Sequence, residues 1–225
     1  MRRATGFALH FPYIFPLDNM RRLIPAASEL GRRNTFRGHT YSTSLVLLAC
    51  AGLRVPEAIR LCFQDITANG RVIRCSKLRK SRLVPLHQPT QAGLKRYLQR
   101  RRAFAPFEDH VFASLRRRPL LLPDAETPFR DVVEKIGLPR SPALPRPTIH
   151  SLRHTFVVTP LETCPDGRDP TANHMLALST YLGHSKVAGM YWYLEAAPDL
   201  MWTEVLGSER KTSPARLIPI SSTLI

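Results

Sequence analysis

The stretch TYLGHSKVAGMYWY, residues 180–193, carries a candidate nucleophile whose partners are expected in the rest of the chain. It contains a Leu-Gly-His turn, a short helical stretch and two tyrosines that flank a tryptophan. A tyrosine close behind a histidine suits attack on a phosphodiester, but a phenol with a pKa of about 10 is a weak nucleophile near neutral pH. It needs neighbours that take its proton and neutralise the phosphate. The stretch therefore predicts cationic partners elsewhere in the chain.

Three other segments supply such partners. Arg54 lies in AGLRVPE (51–57), Lys77 in SKLRKSRLVPL (76–86), and His150 and Arg153 in IHSLRHTF (149–156). Arginine suits the charge of a phosphate, because its planar guanidinium donates two parallel hydrogen bonds and stays charged. The chain thus offers two arginines, a lysine and a histidine as partners for one nucleophilic tyrosine.

Taken in order, these segments resemble the motifs of the tyrosine recombinase (phage integrase) family. The family pattern is Gly-Leu-Arg-x-Ser-Glu, Lys-x-x-Lys-x-Arg-x-x-Pro-Leu, His-x-Leu-Arg-His, Leu-Gly-His and then a tyrosine. The resemblance runs from about Pro12 to about Leu206. Five motifs in order are much more specific than one. The resemblance implies a site-specific DNA recombinase or integrase that cleaves and rejoins duplex DNA through a 3′-phosphotyrosyl intermediate.

The resemblance also implies a role for each matched residue. Arg54, Arg153 and His184 would contact the scissile phosphate. His150 would accept the proton of the tyrosine, and Lys77 would protonate the departing 5′ oxygen. These groups supply the positive charge that Mg²⁺ brings elsewhere, so we expect no metal. The phosphotyrosine would keep the energy of the broken bond, so we expect no nucleotide cofactor.

The remaining residues of the two basic motifs are expected to support the site. Glu57 would orient it, and Arg79, Lys80 and Arg82 would contact DNA phosphates beside Lys77. His154 follows His150 by one helical turn, which could suggest a zinc pair. The sequence lacks the glutamate of His-Glu-x-x-His, so we interpret His154 as a buried helix residue.

Two tyrosines compete for the role of nucleophile. In the family the tyrosine follows the Leu-Gly-His histidine by nine residues, and 193 − 184 = 9 selects Tyr193. At ~100° per residue, Tyr191 would point about 200° away from Tyr193 on a helix, so only one of the two can face His184.

The apolar spacing predicts a mainly helical α+β fold. The predicted helices cover residues 18–30, 41–51, 56–62, 90–102, 127–136, 150–160, 173–182 and 198–206. Residues 71–75 and 82–85 read as a β-hairpin with Lys77 in its tip, and residues 111–113 as a third strand. The resemblance implies the same architecture, a helical catalytic domain with a small three-stranded antiparallel sheet.

The expected domain plan is simple. Residues 1–16 form a linker or remnant, 17–207 the catalytic domain, and 208–225 a flexible tail. The family's N-terminal core-binding domain, which completes a clamp around DNA, is expected to be absent. The family works as a tetramer on DNA, so the resemblance implies a homotetramer.

Composition agrees with a nucleic-acid partner. Lys and Arg number 33 against 17 Asp and Glu, which gives a net charge of +16. Such a balance favours a polyanionic partner, most often nucleic acid, and the resemblance implies that this partner is duplex DNA. The four cysteines form no Cys-x-x-Cys pair, which favours free thiols in a reducing cytoplasm, here at the nucleoid. No segment has the length of a membrane span.

Two other functions remain open at this point. A type IB topoisomerase uses similar residues, and an integrase relic would bind DNA without cutting it. Three departures from the family pattern bear on the relic: Pro56 replaces a serine, Gly189 and Met190 precede the tyrosines, and Pro160 interrupts a segment that is commonly helical.

Overall fold

The computed structural model describes residues 12–31, 35–67, 70–73, 81–138, 145–162 and 168–182. Within these residues the chain forms α1 (Leu17–Ser28), α2 (Phe36–Ala51), α3 (Val55–Ile59), α4 (Gln88–Phe104), α5 (Leu122–Lys135), α6 (Ser151–Glu162) and α7 (Arg168–Leu182). The three strands are β1 (Ile66–Thr67), β2 (Gly70–Ile73) and β3 (Arg82–Val84). The expectation of a mainly helical domain is confirmed. None of the helices described is both long and apolar enough to cross a membrane.

Helix α2 lies at the centre of the molecule. It packs against α1, α4 and α6, and its buried residues lie on several of its faces. A helix buried on several sides carries apolar residues around most of its circumference, as the run from Ser44 to Ala51 does. Because the C-terminal end of α2 leads directly into the turn with Arg54, the centre of the core also positions the site.

The first crossing depends on Gly38 of α2. A Cβ at Gly38 would lie 2.1 Å from the backbone oxygen of Ser28 at the end of α1. Only a residue without a side chain permits this approach between α1 and α2. The segment before α1, expected to be a linker, also packs on the core, where Phe15 is buried and its N–H donates to Thr155 Oγ1 at 2.9 Å.

The strands form an antiparallel sheet in the order β1-β2-β3. Arg71 lies opposite both Ile66 and Val84, and Ile73 lies opposite Arg82. The prediction of a strand at 111–113 was wrong, because Ala113 makes only an isolated bridge to Pro119. The chain turns back at once in this region, where Ser114 N–H donates to Arg118 O at 2.9 Å.

Two helices begin earlier than predicted because their caps lie further upstream. The hydroxyl of Thr35 accepts from Gly38 N–H, so α2 starts at Phe36 and not near Tyr41. Asp124 accepts from Leu121 N–H at 2.9 Å, so α5 starts at Leu122 and Pro128 lies inside it.

Two further bounds differ from the prediction. Helix α6 continues through Pro160 to Glu162; the proline removes the hydrogen bond to the carbonyl of Phe156, and only two helical residues follow it. Helix α7 starts at Arg168, so Asn173 is an interior residue and not a cap. The predicted helix at 198–206 and the tail at 208–225 lie outside the described residues.

Candidate active site

Glu57 lies between two arginines that are distant in sequence. Arg54 donates to it twice, from its backbone N–H to Oε2 at 2.9 Å and from one guanidinium nitrogen to Oε1 at 2.9 Å. Arg82, on β3, donates from its two terminal nitrogens to Oε1 at 3.2 Å and to Oε2 at 2.8 Å. The carboxylate therefore joins the turn that follows α2 to the small sheet.

The surroundings keep Glu57 ionised. Burial by itself raises the pKa of this carboxyl, but the hydrogen bonds and charge of Arg82, together with the bonds from Arg54, outweigh burial and lower it. The side chain of Arg82 is only 13% exposed, and both terminal nitrogens are engaged with Glu57. This placement differs from the DNA contact expected for Arg82.

Gly52 creates the turn that presents Arg54. It ends α2 in the left-handed conformation, with φ of +56°, and its N–H donates to Leu48 O at 3.1 Å. A Cβ at this position would lie 2.3 Å from the ring of Phe156 on α6. The glycine of the Gly-Leu-Arg motif is thus required by backbone conformation and by close packing.

Arg153 is buried, with 2% of its surface exposed, and contacts the backbone on both sides of the site. One terminal nitrogen donates to the carbonyl of Gly52, and the other donates to the carbonyl of Leu182 at 3.3 Å. Leu182 is the residue before Gly183 and His184 in the sequence. Arg153 therefore links the turn of Arg54 to the end of α7.

Tyr181 makes a second connection between α7 and the same turn. Its hydroxyl donates to the carbonyl of Ala51 at 3.2 Å, and its ring stacks on Phe156 with centroids 5.6 Å apart. Burial raises the pKa of this phenol to about 12, so it remains a hydrogen-bond donor at physiological pH. Tyr181 was not among the predicted site residues; its position two residues before the Gly183 of the Leu-Gly-His motif was the available signal.

His150, in the turn just before α6, and His154, in the first turn of α6, lie together close to Arg153. Their rings meet edge to face, with centroids 4.7 Å apart. Loss of hydration, then the charges of Arg153 and Arg54, lower the pKa of His150. Burial, then the charges of His150 and Arg153, lower the pKa of His154 to about 4. At neutral pH both rings are therefore neutral, which a proton acceptor requires.

The structure thus brings together half of the predicted site. Arg54, Glu57, Arg82, His150 and Arg153 form one cluster at the junction of α2, α3, β3 and α6. The other predicted residues, Lys77, Arg79, Lys80, His184 and Tyr193, lie outside the described residues. The described part can bind an anionic oxygen with Arg54 and accept a proton on His150.

Comparison with known proteins gives the same picture. Residues 15–199 match the model of the phage integrase family. The integrase/recombinase-type protein y4rB of Sinorhizobium fredii is 35% identical over 208 residues, which are 89% of this chain and 66% of y4rB. This chain therefore spans slightly less than two thirds of that relative.

Solved structures agree on the fold. The crystal structure of XerA recombinase superposes with a TM-score of 0.67 at 25% identity, over 90% of this chain and 66% of XerA. The structure of XerH bound to its difH substrate superposes with a TM-score of 0.68 at 17% identity, over 90% of this chain and 54% of XerH. With a family match that extends over most of the sequence, the chain belongs to the phage integrase family of tyrosine recombinases.

Proposed function

We propose that this chain is a site-specific DNA recombinase or integrase that cleaves and rejoins duplex DNA through a 3′-phosphotyrosyl intermediate. The observation that carries the proposal is the convergence of Arg54, His150 and Arg153 on one turn, although up to 99 residues separate them in the sequence. Their types and order are those that the family uses for this chemistry.

In the proposed reaction the oxygen of Tyr193 attacks the scissile phosphorus, and the bond between phosphorus and the 5′ oxygen breaks. His150 takes the proton of the phenol, for which its lowered pKa leaves it neutral and available. Lys77 gives a proton to the departing 5′ oxygen. The phosphotyrosine keeps the energy of the broken bond, so a 5′ hydroxyl can reverse the step without a cofactor.

Arg54 and His184 would stabilise the extra charge on the phosphate oxygens in the transition state. Arg54 suits this task because Glu57 holds only one of its terminal nitrogens and its backbone N–H. Arg153 would contact the phosphate as well, and its bonds to two carbonyls, which use two of its five N–H donors, would also hold the turn and the end of α7 in place.

The small sheet would serve as the base of the family's β-hairpin. Strands β2 and β3 flank residues 74–80, and Lys77 lies in the middle of that range. We propose that this segment carries Lys77 to the phosphate, and that Arg79 and Lys80 contact the DNA backbone. We further propose a homotetramer on two duplexes, acting in the cytoplasm at the nucleoid.

A covalent-capture experiment tests the proposal directly. The chain is incubated with a pool of end-labelled duplexes of randomised sequence, each carrying one nick, and adducts that survive a denaturing gel are isolated and sequenced. We expect a labelled adduct whose DNA defines the target site. Binding without any adduct would support a DNA-binding protein that does not cut, and site-independent relaxation of supercoiled plasmid would support a topoisomerase.

The same assay identifies the nucleophile. Tyr193→Phe removes only the attacking oxygen, so it is expected to abolish the adduct and leave DNA binding intact. Tyr191→Phe is the matched control, and it is expected to retain the adduct. The opposite pattern would show that the family register does not apply after Gly183.

A further inference from the structure

Arg82 binds the same carboxylate as Arg54, so it can determine the position of Arg54. It is the first residue of β3, two residues after the 74–80 segment that carries Lys77, and its guanidinium lies on Glu57. From this geometry we infer that Arg82 is a positioning residue, which fixes Arg54 and the base of the Lys77 segment through Glu57 and does not contact DNA. Its kinetic consequences rest on the proposed function, but its placement does not.

The carboxylate of Glu57 is fully used by the two arginines. A carboxylate offers about four lone-pair sites, and Glu57 accepts two hydrogen bonds from Arg54 and two from Arg82. Each oxygen therefore serves both arginines. Because no acceptor site is left over, neither arginine can move relative to Glu57 without losing a bond, and the relative position of Arg54 and β3 is fixed.

The charges give a second reason. Glu57 carries one negative charge against the two positive charges of Arg54 and Arg82, so the trio keeps one positive charge. Without Arg82, a buried carboxylate would face Arg54 alone, and the pair would be neutral. The guanidinium would then be drawn fully onto Glu57 instead of remaining available for phosphate. Arg82 therefore supplies the positive charge that allows Arg54 to bind Glu57 and the phosphate together.

Exposure separates this role from a DNA contact. The Arg82 side chain is 13% exposed, and Glu57 is 9% exposed. A phosphate contact would require Arg82 to leave Glu57, and the buried carboxylate of Glu57 would then lose one of its two cationic partners. Among the described residues, two charged groups face Glu57: Arg54, from the start of the same helix, and Arg82, from β3. Both favour its ionised form.

The test compares Arg82→Ala with Arg79→Ala and with Lys95→Ala, an exposed cation on α4 that provides the charge-matched control. Two quantities are measured on the captured target duplex: the single-turnover rate of adduct formation at saturating DNA, and the slope of log affinity against log salt. We expect Arg82→Ala to lower the rate about tenfold or more and to leave the slope unchanged. Arg79→Ala should lower the slope by about one, and Lys95→Ala should change neither quantity.

A double-mutant cycle then shows whether Arg82 acts through Glu57. If it does, Arg82→Ala combined with Glu57→Gln slows the reaction no more than the slower single variant. Additive losses would overturn the inference, and so would a lower salt slope for Arg82→Ala with an unchanged rate. If Arg82→Ala does not fold, Arg82→Lys replaces it, since it keeps the charge and loses the two-nitrogen fork.

Failure of the proposed function gives a different pattern. If the unmodified chain binds duplex DNA and forms no adduct, the recombinase assignment fails, and the salt slopes of Arg82→Ala and Arg79→Ala, measured on the randomised duplex pool, still decide whether Arg82 contacts DNA. If the unmodified chain binds no duplex at all, both the proposed function and the catalytic consequence of Arg82 are overturned.

Discussion

Gly52 is the residue whose replacement tests the site most directly. Alanine there would adopt a left-handed conformation, at about 1–2 kcal/mol, and its Cβ would lie 2.3 Å from the ring of Phe156, for about 1–3 kcal/mol more. We expect Gly52→Ala to lower the free energy of unfolding by about 2–5 kcal/mol in urea titrations.

Gly137 provides the matched control for this prediction. Its φ is +60°, close to that of Gly52, but a Cβ added there would meet no other described residue within 4 Å. Gly137→Ala should therefore show the backbone contribution alone. Equal losses in the two variants would mean that contact with Phe156 does not constrain the turn of Arg54.

His154 should make the stability of the domain depend on pH. The unfolded imidazole binds a proton as the pH falls below 6.5, whereas the folded ring stays neutral until about pH 4. The unfolded state thus binds more protons in this window, and the contribution of His154 to stability, present above pH 6.5, is lost as the pH falls towards 4. We expect His154→Gln to flatten the decline in unfolding free energy between these pH values, and parallel curves for the two proteins would contradict this.

At the residue scale, the sequence grouped Arg54, His150 and Arg153 into one predicted site but did not indicate how these residues share their hydrogen bonds. Arg54 and Glu57 were predictable as a pair because they are three residues apart at the start of a helix. The hydrogen bonds between Arg82 and Glu57, 25 residues apart, were not predictable. A basic residue beside a hairpin gives the same sequence pattern whether its side chain faces DNA or the core. The contacts of Arg153 with two backbone carbonyls were also not predictable, because every residue has a carbonyl and the sequence does not show which one an arginine will meet.

Helix α7 is held to the turn of Arg54 by the hydroxyl of Tyr181. Tyr181→Phe removes the bond to Ala51 O and keeps the stacking on Phe156. We expect it to lower unfolding free energy by about 1 kcal/mol and to slow adduct formation more than this loss of stability explains.

Tyr97 offers a control of the same chemistry away from the site. Its buried hydroxyl hydrogen-bonds with Thr40 Oγ1 and with Val111 O, both at 3.2 Å. Tyr97→Phe should lower stability to a similar extent and leave the adduct rate of the folded protein unchanged. If both variants slow the reaction equally, Tyr181 acts through general stability and not through the position of α7.

At the element scale, helix identity was predictable and helix bounds were not. The apolar period of α1, α4 and α5 indicated where each helix lies, but the caps of α2 and α5 depend on Thr35 and Asp124, which read equally well as loop residues. The sequence placed Pro128 at the start of a helix and Pro160 at the end of one, yet both lie inside helices whose packing outweighs one missing hydrogen bond. The prediction of a strand at 111–113 was wrong because Val111 and Phe112 are buried by packing in the helical core and not by pairing in a sheet.

For the molecule as a whole, charge predicts how binding and catalysis respond to ions. With a net charge of +16, affinity for duplex DNA should fall steeply with added salt, because each neutralised phosphate releases counterions. Adduct formation should persist in EDTA, since arginines and histidines supply the positive charge at the phosphate. Activity lost with chelator and restored by Mg²⁺ would contradict the proposed mechanism.

The contacts of Arg153 also bear on how such a protein folds during its synthesis. Its guanidinium requires the carbonyl of residue 52 on one side and that of residue 182 on the other, so its surroundings are complete only after residue 182 has been synthesised and packed. A ribosome-bound chain that has not yet reached residue 182 would hold Arg153 without one of the two carbonyls that its guanidinium contacts. The turn of Arg54 and the end of α7 would therefore become ordered together, late in synthesis, and not one after the other.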